Sequence, residues 1–117
     1  MATQTLSKDN FDQVIQGNDI VIVDFWADWC QPCQIFGPVF EAMSEKYPNI
    51  IFAKVDTEQE QELASHFQIR SIPYLMVFRE QVVIYQQAGA LMEKQLATLI
   101  DGAQSLNMEQ IKQRLND

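Results

Sequence analysis

Two cysteines stand two residues apart in Trp26-Ala27-Asp28-Trp29-Cys30-Gln31-Pro32-Cys33, and the chain contains no others. Thiols at this spacing can close a small intrachain disulfide or supply half of a metal site. A structural zinc site needs about four ligands. The sequence offers two cysteines and one histidine, His66, far along the chain, and a surface or structural role is expected for that histidine. A zinc shared across a dimer and an inert thiol pair remain as competing readings. The local pattern favours redox chemistry, because Cys30 falls between an apolar run and a stretch of helical spacing. The dipole and free N–H groups of a helix start favour a thiolate. Pro32 suits the first helical turn, where it gives up only an N–H without a partner. Cys30 is therefore expected to attack a disulfide, and Cys33, one turn further in, to resolve the mixed intermediate.

The elements that must hold this pair are legible in order. Ile20-Val21-Ile22-Val23-Asp24-Phe25-Trp26-Ala27 is a near-continuous apolar run, the mark of a central strand covered by helices on both faces. Asp24 interrupts it, and a carboxylate there is costly unless paired or functional. From Cys33 to Tyr47 the positions Phe36, Phe40, Met43 and Tyr47 recur on one helical face, with Pro38 expected to kink the helix. Ile50–Val55 forms a second buried-type strand that embeds Lys54. Tyr74–Phe78 and Val82–Tyr85 read as an antiparallel hairpin.

Helices are expected at three further places. Ser7 is expected to cap a first helix, with Leu6 and Phe11 as its staple. Thr57 to Glu60 reads as a capping box, opening a helix with Leu63 and Phe67 inward. A last core helix after Gly89-Ala90 should turn Met92, Leu96, Leu99 and Ile100 inward and stop at Gly102. A short edge strand is expected before them all, at Thr3–Leu6. The order (β)αβαβαββα predicts an α/β domain, a mixed sheet between helices. The expected division is a domain over residues 1–103 and a helical extension over 104–117, with Met108, Ile111 and Leu115 on one side of the extension.

The totals bound the partners. With 117 residues, 47% hydrophobic and 21% charged, the chain is one domain of ordinary globular composition. A net charge of −8 argues against nucleic acid and against anionic membrane surfaces. No apolar stretch approaches the ~20 residues of a membrane span. The polar start, residues 1–10, lacks the layout of a signal peptide, so a cytoplasmic protein is expected. In that reducing compartment a lone close cysteine pair is more often redox-active or metal-binding than a structural staple.

The segment Val23 to Cys33 resembles the active-site segment of the thioredoxin family, differing at Gln31 where the family usually carries glycine. Ile69-Arg70-Ser71-Ile72-Pro73 resembles the stretch leading to the family's cis-proline, Gly89-Ala90 its loop beside the active site, and Pro38 its helix-kinking proline. The resemblance covers about residues 3–103. It implies the thioredoxin fold and a protein-disulfide reductase working through a redox-active Cys30–Cys33 disulfide, with no bound cofactor and no metal. It also implies that Asp24 takes the proton from Cys33, with Lys54 and Trp26 in support. Trp29, Gln31, Pro32, Ile72, Pro73, Gly89 and Ala90 would then form the substrate groove.

The implied partners are an NADPH-dependent, flavin-containing thioredoxin reductase as electron donor and disulfide-containing proteins as substrates, with the chain itself a monomer. Gln31, Gln34 (where many relatives carry lysine) and Tyr74 (where threonine is usual) depart from the pattern. Tyr74 is expected to narrow the groove. A structural Asp24–Lys54 ion pair, a binding module or co-chaperone on the same scaffold, and a reductase dedicated to one partner such as a peroxidase are the alternatives.

Overall fold

In the computed structural model, which describes residues 2–116, the apolar run becomes strand β2 (Ile20–Trp26) at the centre of a five-stranded sheet. Around it lie β1 (Thr3–Thr5), β3 (Ile51–Asp56), β4 (Tyr74–Arg79) and β5 (Val82–Ala88), in spatial order β1-β3-β2-β4-β5. β1 and β2 pair with β3 in parallel, while β4 runs antiparallel to both β2 and β5. The turn between β4 and β5 holds Glu80 and Gln81 at φ 50° and 71°, the left-handed pairing that matches hairpin twist.

Strand periodicity splits β2 between two cores. Ile20 and Ile22 face helices α2 (Gln31–Lys46) and α4 (Glu93–Ser105), where Phe36, Phe40, Met43, Leu96 and Ile100 are buried. Val21, Val23 and Phe25 face α1 (Phe11–Gly17) and α3 (Gln61–His66), packing with Phe11, Ile15, Leu63 and Phe67. Pro38 lies inside α2 as expected. Leu6 and Phe11 are both buried in the second core, consistent with the expected staple.

Several local expectations gave way to tertiary contacts. Ser7 does meet the helix entry, its Oγ accepting the Asp9 N–H at 3.2 Å, but α1 itself starts only at Phe11, after a turn in which the Ser7 N–H donates to Asn10 Oδ1 at 2.7 Å. Thr57 does not open α3. Its N–H and hydroxyl both donate to the Trp26 carbonyl (2.9 and 3.0 Å), while Asp56 Oδ1 accepts the Glu58 N–H at 2.9 Å. The helix therefore begins three residues later than the pattern suggested, at Gln61. Met92 lies at the N-cap of α4 in extended conformation and is 73% exposed, because the helical periodicity has not yet begun there.

Gly102 does not end α4, which runs on to Ser105. Its end is set by Arg79 on β4, whose Nη1 donates to the carbonyls of Ala103, Gln104 and Leu106 at 2.7, 3.1 and 2.9 Å. These are the carbonyls a helix end leaves without partners. A last helix, α5 (Met108–Asn116), follows. Asn107 Oδ1 accepts the Gln110 N–H, Lys112 pairs with Glu80, and Met108 is buried while Leu115 stays exposed. Replacing Arg79 by alanine is expected to cost about 1–3 kcal/mol and to speed hydrogen exchange over residues 103–116. Disulfide turnover should be unchanged, because Arg79 lies at the opposite end of β4 from Tyr74.

Candidate functional site

β2 ends at Trp26, and a short loop carries the chain to Cys30, the N-cap residue of α2. Cys30 has extended backbone (φ −87°, ψ 108°), and its Sγ accepts the Cys33 N–H at 3.2 Å. The sulfur thus takes the place a serine or aspartate oxygen usually holds at a helix start. Cys30 and Cys33 are joined as a disulfide with Cα atoms 5.2 Å apart, within the usual range for such bonds. Both are nearly buried, at 4% and 5% exposure.

The loop before β4 closes over the pair. The Ile72–Pro73 bond is cis, and Cys30 Sγ lies 3.6 Å from the Ile72 carbonyl oxygen. The Pro73 carbonyl in turn accepts the Gly89 N–H at 2.8 Å. Gly89 adopts φ 114°, a conformation that disfavours any side chain. Strands β4 and β5 thereby bring Ile72, Pro73, Gly89 and Ala90 into one neighbourhood from positions far apart in the chain. Trp29 is 69% exposed and its indole N–H donates to Glu58 Oε1 at 2.6 Å. Gln31 and Pro32 are exposed on the first turn of α2.

Asp24 is 1% exposed and shares the sheet face of Ile22, the face covered by α2. Its register partner on β3 is Lys54, and on β4 Leu75. Among the described residues Asp24 Oδ1 has no hydrogen-bond partner. Burial raises its pKa from 3.8 to about 7, with the Lys54 ammonium opposing the rise. Lys54 Nζ also sits 4.8 Å from the centroid of the Trp26 ring. Behind the disulfide a cavity of about 280 Å³ is lined by Trp26, Cys33, Pro38, Glu41 and Lys54, among others.

The structure therefore gathers Asp24, Trp26, Lys54, the Cys30–Cys33 pair and the loops at Ile72 and Gly89 around one end of the sheet, with one adjustment. Tyr74 does not narrow the groove. Its ring packs on Phe25 in the second core and its hydroxyl donates to Gln86 Oε1, because the residue after Pro73 takes the opposite sheet face. The sequence reading missed three contacts at the site. Glu58, within the stretch read there as a capping box, anchors Trp29. Gln34 donates to the Asp28 carbonyl at 2.9 Å, fixing the loop before Cys30. Glu41 points to the cavity wall, with Oε2 accepting the Thr3 hydroxyl at 2.6 Å. No local spacing signals these contacts. His66 is exposed on α3, and no group of three or more His, Cys, Asp or Glu among the described residues could hold a metal.

A mixed sheet that mounts a Cys-x-x-Cys disulfide on a helix start, opposite a cis-proline loop, defines a dithiol–disulfide oxidoreductase of thioredoxin fold. Comparison with known proteins agrees. The thioredoxin family model matches residues 2–102. A chain of Streptomyces coelicolor, provisionally named thioredoxin 2, is 49% identical over 111 residues, covering 95% of this chain and 83% of that one. Thioredoxin of Homo sapiens is 37% identical over 101 residues, covering 85% and 96%. Among solved structures, a thioredoxin variant from Halobacterium salinarum superposes with a TM-score of 0.82 at 33% identity, covering 89% of this chain and 92% of that one. This chain belongs to the thioredoxin family and is a thiol–disulfide oxidoreductase. Members of that family use a redox-active disulfide without a cofactor, and work with thioredoxin reductase and disulfide substrates.

Proposed function

We propose that the chain reduces disulfides of protein substrates, with Cys30 attacking and Cys33 resolving. The observation that carries this assignment is the position of Cys30 Sγ at the start of α2, accepting the Cys33 N–H. A helix start with a directed N–H stabilises negative charge on that sulfur. In the dithiol form, the Cys30 thiolate attacks one sulfur of the substrate disulfide. The substrate S–S bond breaks, and the second substrate sulfur leaves as a thiolate that takes up a proton. Cys33 then gives its proton to Asp24 and attacks Cys30 Sγ. The Cys30–substrate bond breaks, the substrate's first sulfur leaves as a thiolate, and the Cys30–Cys33 disulfide forms. Two electrons pass to the substrate.

The other residues divide the remaining work. A buried carboxyl with a pKa of about 7 is matched to proton transfer near neutral pH. Lys54 and Trp26 support Asp24, the ammonium by its charge and the indole by lying against that ammonium. The backbone of Ile72, Pro73, Gly89 and Ala90, with Trp29, Gln31 and Pro32, receives the extended segment around the substrate disulfide. An NADPH-dependent thioredoxin reductase returns the oxidised pair to dithiol, and the domain holds no cofactor of its own. We place this activity in residues 1–103 of a cytoplasmic monomer, with 104–117 as an extension. No helix of the described residues is long and apolar enough to cross a membrane.

Trapping tests the order of the two thiols. A Cys33→Ser variant, mixed with insulin, should accumulate a covalent adduct through Cys30 that dithiothreitol dissolves and mass spectrometry detects. An adduct through Cys33 in the matching Cys30→Ser variant would reverse the assigned roles.

A further inference from the structure

Both sulfurs are nearly covered, at 4% and 5% residue exposure, so they offer an incoming protein almost no area to grip. Affinity must come from the surface around them. One side is supplied by Trp29 and the loops at Ile72 and Gly89. On the other side lies α2, whose inner face is buried through Phe36, Phe40 and Met43. Its outer face carries Pro32, Ile35, Val39 and Ala42. Their 3-4-3 spacing places all four on a single helical stripe.

Ile35 is 67% exposed, Pro32 and Ala42 are exposed, and Val39 is half-buried against the core. A single exposed apolar residue calls for no explanation. This stripe differs in being contiguous, in starting beside Cys33, and in containing no charge until Lys46, whose ammonium is held by Glu93. Ten residues of helix span about 15 Å, the length of four or five residues of extended chain.

We infer that the Pro32–Ile35–Val39–Ala42 stripe is a docking strip for the apolar polypeptide flanking a substrate disulfide. The occupant is the substrate protein, because the stripe is continuous with the disulfide where that substrate must react. A bound segment would lie along α2 and hold the scissile disulfide over Cys30, so that binding is shared between the strip and the groove. Val39 is fixed against the core beneath, which makes the strip rigid and spares ordering cost on binding. The inference rests on the reductase reading above and refines its substrate class to proteins with exposed apolar residues beside the disulfide.

Ile35→Ser separates the two. With dithiothreitol as electron source, the variant should lose about tenfold in kcat/KM on insulin, mainly through KM. In a single turnover of the pre-reduced protein, freed of dithiothreitol, its rate on the small disulfide 5,5′-dithiobis(2-nitrobenzoic acid), which has no flanking polypeptide to lay along α2, should be unchanged. Ile35→Met, which keeps the apolar contact, should restore most of the insulin rate. Equal insulin rates in wild type and Ile35→Ser overturn the inference, as does a parallel loss on both substrates. A concentration-dependent dimer of the wild type that Ile35→Ser abolishes also overturns it, by giving the strip to a second copy. If the wild type turns over neither substrate, it is the reductase reading that fails.

Discussion

Cys30→Ser is expected to abolish reduction of insulin disulfides, lowering turnover by about a thousandfold or more, the scale typical of deleting a nucleophile. The hydroxyl sits where the thiolate sat but stays protonated at neutral pH and forms no bond to a disulfide sulfur that dithiols can exchange. Cys33 cannot substitute, because it lies one turn inside α2 rather than at the helix start, where the free N–H groups favour a thiolate. The same substitution should leave the fold intact. Serine is among the best N-cap residues, and its oxygen can accept the Cys33 N–H that Cys30 Sγ now receives. The measurement pairs insulin precipitation in dithiothreitol with thermal denaturation. Turnover retained in a folded Cys30→Ser variant would remove Cys30 from the mechanism.

Asp24→Asn is expected to make the protein more stable and the enzyme slower. The folded pKa is about 7 against 3.8 for an unperturbed side chain. Between those values the folded state binds more protons than the unfolded state, so unfolding free energy falls as pH rises. The contribution is complete below pH 3.8 and lost once pH passes 7. At about 1.36 kcal/mol per pKa unit, the loss above pH 7 is roughly 4 kcal/mol. Asparagine never ionises, so the variant should exceed the wild type by about 2–4 kcal/mol at pH 8 and converge with it near pH 4. Urea unfolding at the two pH values reads this directly. A wild type as stable as Asp24→Asn at pH 8 would mean that Asp24 is held ionised at no cost, as a structural pair with Lys54 would hold it.

The kinetic half of the same prediction concerns the resolving step. Removing a proton acceptor costs about a hundredfold at the low end of the usual range. In Asp24→Asn the mixed disulfide should therefore persist longer, while the first attack by Cys30 is little changed. A buried carboxylate kept at such a cost to stability is what a proton-transfer role near neutral pH explains.

Most of the fold was legible because its signals are local. The run Ile20–Trp26 has no polar face, which required a central strand with helices on both sides, and β2 is that strand. The 3.6-residue recurrence of Phe36, Phe40 and Met43 required one buried face on α2, and all three are buried. Cys30 stood at the strand-to-helix junction in the sequence, and it caps α2 in the structure. Element ends were less legible. Thr57 and Gly102 carry the right chemistry for a helix start and stop, but the Trp26 carbonyl and the Arg79 guanidinium reach them or their neighbours from elsewhere.

The sequence by itself determined the pair Cys30–Cys33, its place at a helix start, the buried Asp24 and the resemblance that tied them to dithiol exchange. These depend on residue type and short spacing, which the chain displays directly. Only the tertiary structure decided how the pair is enclosed. The Ile72 carbonyl stands 3.6 Å from Cys30 Sγ, Gly89 is bonded to Pro73, Glu58 holds Trp29, and Tyr74 turns away into the second core. Each is a contact between segments far apart in the chain, fixed by strand register and sheet face, and no spacing within a single segment encodes it.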